Sequence, residues 1–393
     1  MQVCLDWQDI QLLLMSKLWS ITPSSMDCLS MAINNKSLKI VIIAGEASGD
    51  SLGAALMRDL KVKNPSIEFM GIAGSLMQAQ GMESLFPMED LSVMGIAEIL
   101  PQLPKLLKRI KQTVAAVEAF QPDYIVTIDA PDFSKRVVKR LRKNEKSVQA
   151  KFVHYVAPTV WAWRPKRAAL FAKLYDAMFC LFPFEPPYFE REGMKAYFVG
   201  HPVVKEKLHG NDKAKTLGVF YGSRLGELER SGAVLTATAK DWLIKNPQGM
   251  LIIPTLPHMV GGIETLLADV KGRCEFVVGQ KKQAFAQINK AIAVSGTIGL
   301  ELAVAGIPHL IAYKTNTLTY WIVKSLVKVK YAHLANLILD EPVVPEYLQN
   351  DCTVENMIKG LESLDIDKQK HAFNKLEDVL NSDLSAADCL LTL

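Results

Sequence analysis

The sequence predicts an α/β protein in which two doubly wound parallel sheets face each other across a central cleft. Three observations carry that expectation. Short apolar runs rich in β-branched residues alternate with helical patterns, as in βαβ units whose sheet is covered on both faces. The alternation occurs twice, once in each half of the chain. A length of 393 residues exceeds what one core ordinarily holds, and 49% hydrophobic with 22% charged residues is a folded composition.

In the first half, "LKIVIIAG" (38–45) reads as a buried strand, followed by the turn "GEASGDSLG" and the helix "AALMRDLKVK". "IEFMGIAG" (67–74), "DYIVTIDAP" (123–131) and "AKFVHYVAP" (150–158) are further strands, each stopped by Gly or Pro. In the second half "TLGVFYGSR" (216–224), "GMLIIPTLP" (249–257), "AIAVSGTIG" (291–299) and "GIPHLIAYK" (306–314) repeat the scheme, after a linker at 202–215. The expected divisions are a first domain at 38–205, a second at 206–340 and a helical C-terminal segment at 341–393. Residues 1–37 contain "LDWQDIQLLLMSKLWSI", with two acids where a secretion signal carries basic residues. They are expected to be a disordered extension or the product of a misplaced start.

Six cysteines lie far apart, without CxxC or Cys/His zinc spacing, which reads as free thiols and no structural metal. No apolar run reaches the roughly 18 residues of a membrane span. Net charge is only +4, yet residues 101–173 hold 16 Lys/Arg against five Asp/Glu, so phosphates or an anionic surface are expected nearby. No nucleic-acid reader motif is present.

In doubly wound sheets, ligands sit beyond the carboxyl ends of strands. That rule directs attention to five segments. In "GEASGD", Gly45 and Gly49 allow close backbone approach, and Glu46 and Ser48 face the cleft; a plain tight turn explains the glycines equally. In "VSGTIGLE", Ser295, Gly296 and Thr297 offer amides and hydroxyls to a phosphate, and Glu301 offers a carboxylate to a ribose diol. Complementing the helix dipole is the alternative for Glu301. In "GSRLGELE", Gly222 and Ser223 lead to Arg224, whose guanidinium fork suits a diphosphate or, more simply, Glu227 or Glu229. "HYVAPTVWAWRPKR" places Trp161 and Arg164 in a loop expected over the cleft.

The fifth segment, "YIVTIDAPDFSKR", carries two acids. Asp132 precedes a helical pattern and is positioned as its N-cap, a role whose loss costs about 1 kcal/mol. Asp129 ends a strand at the cleft with no such local task and is the candidate general base, with His154 the nearest candidate partner. Separately, "SVMGIAEILPQLPKLLKRIKQTV" (92–114) combines an apolar front with a basic helix, as interfacial helices do. Its candidate membrane contacts are Val93, Met94, Ile96, Ile99, Leu100, Leu103, Lys105, Lys108 and Arg109.

Taken in order, "GEASGD", "VMGIAEIL", "IDAPDF", "HYVAPTVWAWRPKR", "GSR", "SGT" and "AYK" resemble the lipid-A-disaccharide synthase family over about residues 38–340. The resemblance implies the GT-B architecture of two Rossmann-like domains. It implies a metal-free, inverting condensation of UDP-2,3-diacylglucosamine with 2,3-diacylglucosamine 1-phosphate, giving a β(1→6) disaccharide and UDP. It makes Asp129 the essential acid, and it assigns Arg224, Ser295 to Thr297, Glu301 and Asn336 to the UDP-sugar site. No cofactor is implied. It also implies peripheral contact with the inner face of a bacterial cytoplasmic membrane and a homodimer with exchanged C-terminal segments. Three positions depart from the family pattern: Tyr221 and Ala335 replace prolines, and Ser134 replaces asparagine. A UDP-sugar epimerase and a catalytically idle lipid-binding protein of the same fold are the rival readings.

Overall fold

In the computed structural model, residues 37–91, 96–143, 148–162, 164–315 and 329–393 are described. Residues 1–36, Val93, Met94 and Trp163 lie outside that set, as do the side chains of Ile96, Ile99 and Leu100. The first domain runs β1 (Lys39–Ala44), α1 (Ala47–Lys63), β2 (Glu68–Ile72), α2 (Ser75–Ala79), α3 (Ile96–Phe120), β3 (Tyr124–Ile128) and α4 (Pro131–Lys143). It continues with β4 (Lys151–Tyr155), α5 (Arg167–Ala172), β5 (Ala177–Cys180), α6 (Pro186–Glu190) and β6 (Lys195–Phe198). All six strands are parallel, in the order β2-β1-β3-β4-β5-β6. The central strands are mostly apolar, with Thr127 of β3 and His154 of β4 as buried polar exceptions, and Ile40 to Ala44 are fully buried, as a sheet covered on both faces requires.

The second domain follows as α7 (Pro202–Lys205), β7 (Thr216–Phe220), α8 (Leu225–Lys245), β8 (Met250–Thr255), α9 (Val260–Leu266), β9 (Cys274–Val278) and α10 (Lys281–Phe285). Next come β10 (Lys290–Val294), α11 (Thr297–Val304), β11 (His309–Tyr313), α12 (Leu334–Leu339) and β12 (Glu346–Leu348). The chain ends with α13 (Val354–Glu362), α14 (Ile366–Leu380) and α15 (Ala386–Leu391). Its parallel sheet has the order β12-β11-β10-β7-β8-β9.

Both sheets reverse strand order once, between β1 and β3 and between β7 and β10. The crevice at such a reversal is where doubly wound folds bind ligands. The register sets Ala44 beside Ile128, so the loop from Gly45 lies next to Asp129. In the second sheet the "GSR" loop after β7 and the "SGT" loop after β10 flank the other reversal.

The tail at 341–393 does not form a separate unit. It contributes β12 to the second sheet, and Phe373, Leu376 and Leu380 of α14 join the core containing Val203 and Leu300. Gln369 ties α14 to β11 by accepting from the His309 amide (2.9 Å) and donating to its carbonyl (2.9 Å). Helix α15 then returns to the first domain, where Ala387, Cys389 and Leu390 enter the core and Lys63 pairs with Asp388 at 2.6 Å. The two crossings touch: the His201 amide donates to the Leu380 carbonyl (2.9 Å), and Ser382 Oγ to the Phe198 carbonyl (2.9 Å). Val203 of α7 already packs in the second domain, so the chain passes between domains near 199–201, just before the expected boundary at 205.

Candidate active site

Asp129 stands immediately after β3 with φ 50°, followed by Ala130 at φ 43°, and Val156 after β4 has φ 77°. Left-handed backbone is tolerable for Asp but strained for Ala and more so for Val, and such strain collects at functional sites. The turn is held from several sides. The Asp129 amide donates to the Tyr155 carbonyl (3.0 Å), and Ser134 Oγ donates to the Asp129 carbonyl (3.1 Å). Ser134, one of the departures from the family pattern, thus supports the acid's backbone. Gly45 and Gly49 serve this packing too. A Cβ on Gly45 would meet Ala130 Cβ at 2.6 Å, and one on Gly49 would lie 3.3 Å from Ala44 Cβ.

Burial pushes the Asp129 carboxyl above its usual range, and the backbone of Ala130 partly opposes this. Glu46 is raised by burial first and by the Asp129 charge second, while Arg224 of the other domain lowers it. Glu46 therefore feels the charge of Asp129 from its own domain and that of Arg224 from the other. Ser48 is exposed in the first turn of α1.

The second crevice opens into a cavity of about 650 Å³ lined by Gly222, Ser223, Arg224, Ser295, Gly296, Thr297 and Glu301. Leu256, Val277, Gly279, Gln280, Lys281 and Phe285 also line it, and none of these was singled out from sequence. Leu256 follows β8, Val277 lies in β9 and the others come after it, so the missed strand β9 is the signal that would have found all but Leu256. Gly222 has φ 90°, and a Cβ there would lie 2.2 Å from Glu227 Oε2. That carboxylate accepts from the amides of Ser223 (2.9 Å) and Arg224 (3.3 Å) and pairs with the Arg224 guanidinium at 3.5 Å. The loop is thus shaped by Glu227, and the simple alternative for Arg224 is realised. Buried Tyr221, where the family has proline, anchors the same loop from behind through its hydroxyl to Thr236 (2.9 Å).

Two expectations are corrected. Asp132 is not an N-cap: α4 begins at Pro131, and the exposed Asp132 carboxylate sits inside the first turn, 3.3 Å from Lys135. His154 is no partner of Asp129. It is fully buried, accepts or donates at Nδ1 with Thr127 Oγ1 (2.7 Å), and is pushed down to about 3 by burial, hence neutral. Asn336 has all of its hydrogen-bonding positions occupied. Its carboxamide oxygen accepts from Val343 and Val344, and its nitrogen donates to the Val344 carbonyl and Glu346 Oε1, all at 2.8–2.9 Å. It is buried, is absent from the cavity lining and braces the loop before β12. Ala335, a further departure, is fully buried and donates its amide to His333 Nδ1 (3.0 Å). Half-buried Trp161 donates to Glu185 Oε1 (3.1 Å), whose Oε2 accepts from the Leu181 and Phe182 amides. Arg164 is exposed.

The basic helix is also redistributed. Ile110 and Val117 of α3 are buried in the first core. Lys105 and Arg109 pair with Asp90 at 2.5 and 2.6 Å, and Arg109 lies over the Phe86 ring at 4.5 Å. Lys108 is exposed and Leu103 half-buried. Beside them, Arg136, Lys139, Arg140 and Lys143 of α4 line a groove of about 320 Å³ with the exposed Leu107. Their spacing puts all four cations on one face. Among the described residues no helix is long and apolar enough to cross a membrane, and no three His, Cys, Asp or Glu side chains converge as metal ligands do.

Residues 40–387 match the family described as lipid-A-disaccharide synthetase. A lipid-A-disaccharide synthase of Ruegeria pomeroyi is 42% identical, over 84% of this chain and 87% of the relative. One of Pseudomonas fluorescens is 40% identical, over 91% and 98%. Among solved structures, a glycotransferase of kitacinnamycin superposes with a TM-score of 0.62 at 14% identity, covering 91% of this chain and 98% of that one. A UDP-GlcNAc 2-epimerase from Neisseria meningitidis bound to UDP-GlcNAc does so at 0.57 and 14%, covering 88% and 95%. At such identities these structures share the fold alone.

Proposed function

The chain belongs to the lipid-A-disaccharide synthase family of glycosyltransferases, and we propose that Asp129 acts in its cleft as the base of an inverting glycosyl transfer. The donor is UDP-2,3-diacylglucosamine and the acceptor 2,3-diacylglucosamine 1-phosphate. The acceptor 6-hydroxyl oxygen attacks C1 of the donor sugar from the face opposite UDP. The C1–O bond to the diphosphate breaks, its electron pair leaves with UDP, and the hydroxyl proton passes to Asp129. An ordinary aspartate is a weak base, so burial that raises Asp129 brings it nearer the operating pH. Arg224 and the N-terminus of α11 receive the charge that develops on the leaving diphosphate.

The observation that carries this reading is the placement of Glu46 and Asp129 on adjoining loops at one sheet reversal, with Arg224 of the other domain lining a cavity large enough for a nucleotide. Glu301 supplies an acceptor for the ribose hydroxyls, and Leu256 and Val277 an apolar wall for the base. Purified protein given both detergent-dispersed substrates should yield disaccharide and UDP in equal amounts by mass spectrometry. An epimerised donor without disaccharide sinks the reading.

Both substrates carry acyl chains, so the catalytic site must approach a bilayer, and we extend the proposal to peripheral membrane contact on the cytoplasmic side. Arg136, Lys139, Arg140 and Lys143 supply the cationic face that Lys105 and Arg109, paired with Asp90, do not. Replacing the four by glutamine should release the protein from anionic vesicles at about 100 mM salt while leaving turnover of detergent-dispersed substrates intact. Unchanged vesicle binding would remove α4 from the contact. A homodimer with exchanged C-terminal segments is part of the same proposal; exchange would keep the contacts of α15 and draw them from the second copy.

A further inference from the structure

The donor cavity contains a cation that no motif announces. Lys281 opens α10, lines the cavity, and bridges two carboxylates, 2.6 Å from Glu206 Oε2 and 3.1 Å from Glu301 Oε2. Glu206 is not part of the cavity lining. It follows α7 on the linker that is fastened to this domain through the Gly210 amide to the Ala305 carbonyl (3.1 Å) and the Asn211 amide to the Ile288 carbonyl (2.8 Å).

Glu301 is the fifth residue of α11, beyond the first turn where a helix dipole acts appreciably. It is largely buried, and burial works against its charge; Lys281 is the opposing influence, and Glu206 adds to the burial effect. A lysine on a flexible stem fixes a carboxylate only if its own head is fixed, and Glu206 supplies that anchor at the shorter distance. Because Lys281 takes Oε2, Oε1 is the Glu301 oxygen left for another donor.

We propose that Lys281, anchored by Glu206, is a positioning residue for the donor nucleotide, holding Glu301 by Oε2 so that Oε1 is presented to the vicinal hydroxyls of the ribose. The proposal rests on the reading of this cavity as the UDP site. It differs from a direct contact between Lys281 and the diphosphate, for which Glu206 would be a competitor rather than a support.

Calorimetric binding of UDP and of 2′,3′-dideoxy-UDP separates these roles. Lys281→Met should weaken UDP about tenfold at pH 7.5 and leave the dideoxy ligand unchanged. Lys281→Arg should stay within about threefold of the parent for both. Glu206→Gln should weaken UDP several-fold with the same selectivity. The pH profile supplies a readout that a merely structural role would not move. Lys281 and Glu206 are the charged groups acting on Glu301, and Arg224 and Glu227 line the same cavity. Without Lys281 burial acts on the carboxyl unopposed and raises it further, so UDP affinity of Lys281→Met should fall more steeply than the parent's as pH is lowered. Equal weakening of both ligands, or of neither, overturns the proposal. If Glu301→Gln costs UDP affinity and Lys281→Met does not, only the positioning role falls. If Glu301→Gln changes neither ligand, the ribose reading of the cavity falls with it.

Discussion

Replacing Asn336 by alanine tests whether this residue holds the fold or the ligand. Its carboxamide joins four groups: the Val343 and Val344 amides, the Val344 carbonyl and Glu346 Oε1. Alanine orphans the Val344 amide and carbonyl in a fully buried position, while the Val343 amide keeps the Glu341 carbonyl (2.9 Å). The Glu346 carboxylate still accepts from the His333 and Ala332 amides and is not left bare. Each buried unsatisfied group costs about 1–3 kcal/mol, partly relieved if water enters the space, so a loss of about 3–5 kcal/mol is expected. For a domain of this size that is on the order of 10 °C in the melting temperature. Thermal and urea unfolding followed by circular dichroism, with UDP binding measured well below the transition, checks it. A variant within about 0.5 kcal/mol of the parent that has lost UDP affinity tenfold would refute the structural role and restore the ligand role. The aspartate variant adds a pH signature. A carboxylate there would face Glu346 and a carbonyl, which raises its folded value above the unfolded one. Its penalty is therefore full above the folded value and shrinks as pH falls through it, so the gap to the parent should narrow between pH 8 and pH 5.

Two further outcomes follow from the acids. Asp132→Ala should change stability by no more than about 0.5 kcal/mol, because it removes an exposed pair with Lys135 rather than a cap; a loss near 1 kcal/mol in urea unfolding would contradict the helix start at Pro131. Burial pushes Glu185 up to about 7, above the ordinary glutamate value of about 4.3, so the folded state binds the extra proton and stability should decline as pH rises between those values. Because Trp161 donates to this carboxylate, the fluorescence difference between the parent and Trp161→Phe should titrate near pH 7 and lose that step in Glu185→Gln; a flat profile would contradict it.

What the sequence disclosed follows from the length and burial of each element. The central strands β1, β3, β7 and β10 are continuous apolar runs, and their carboxyl ends carried nearly every candidate that the crevices bring together. Interior β5 and the edge strands β6, β9 and β12 span only three to five residues and went unread, and with β9 went the wall of the second cavity around Val277 to Lys281. Asp132 was misassigned because Pro131 itself suits the first helical position and moves the helix start one residue back. Asn336 entered only through family resemblance, and nothing in a single sequence shows that a carboxamide's partners are all backbone and one buried acid. Lys281 and Glu206 lie 75 positions apart in number, and only the fold joins them across Glu301.

The central claim is that Asp129 is the base of the transfer. Because burial disfavours its charge, removing that charge should not destabilise the fold, and Asp129→Asn should melt at or slightly above the parent at pH 7.5. Single-turnover formation of disaccharide by this variant, measured beside its UDP affinity, is the most direct test. The account predicts at least a thousandfold loss of rate with UDP affinity kept within about threefold. Turnover within tenfold of the parent, at unchanged UDP affinity, would contradict it.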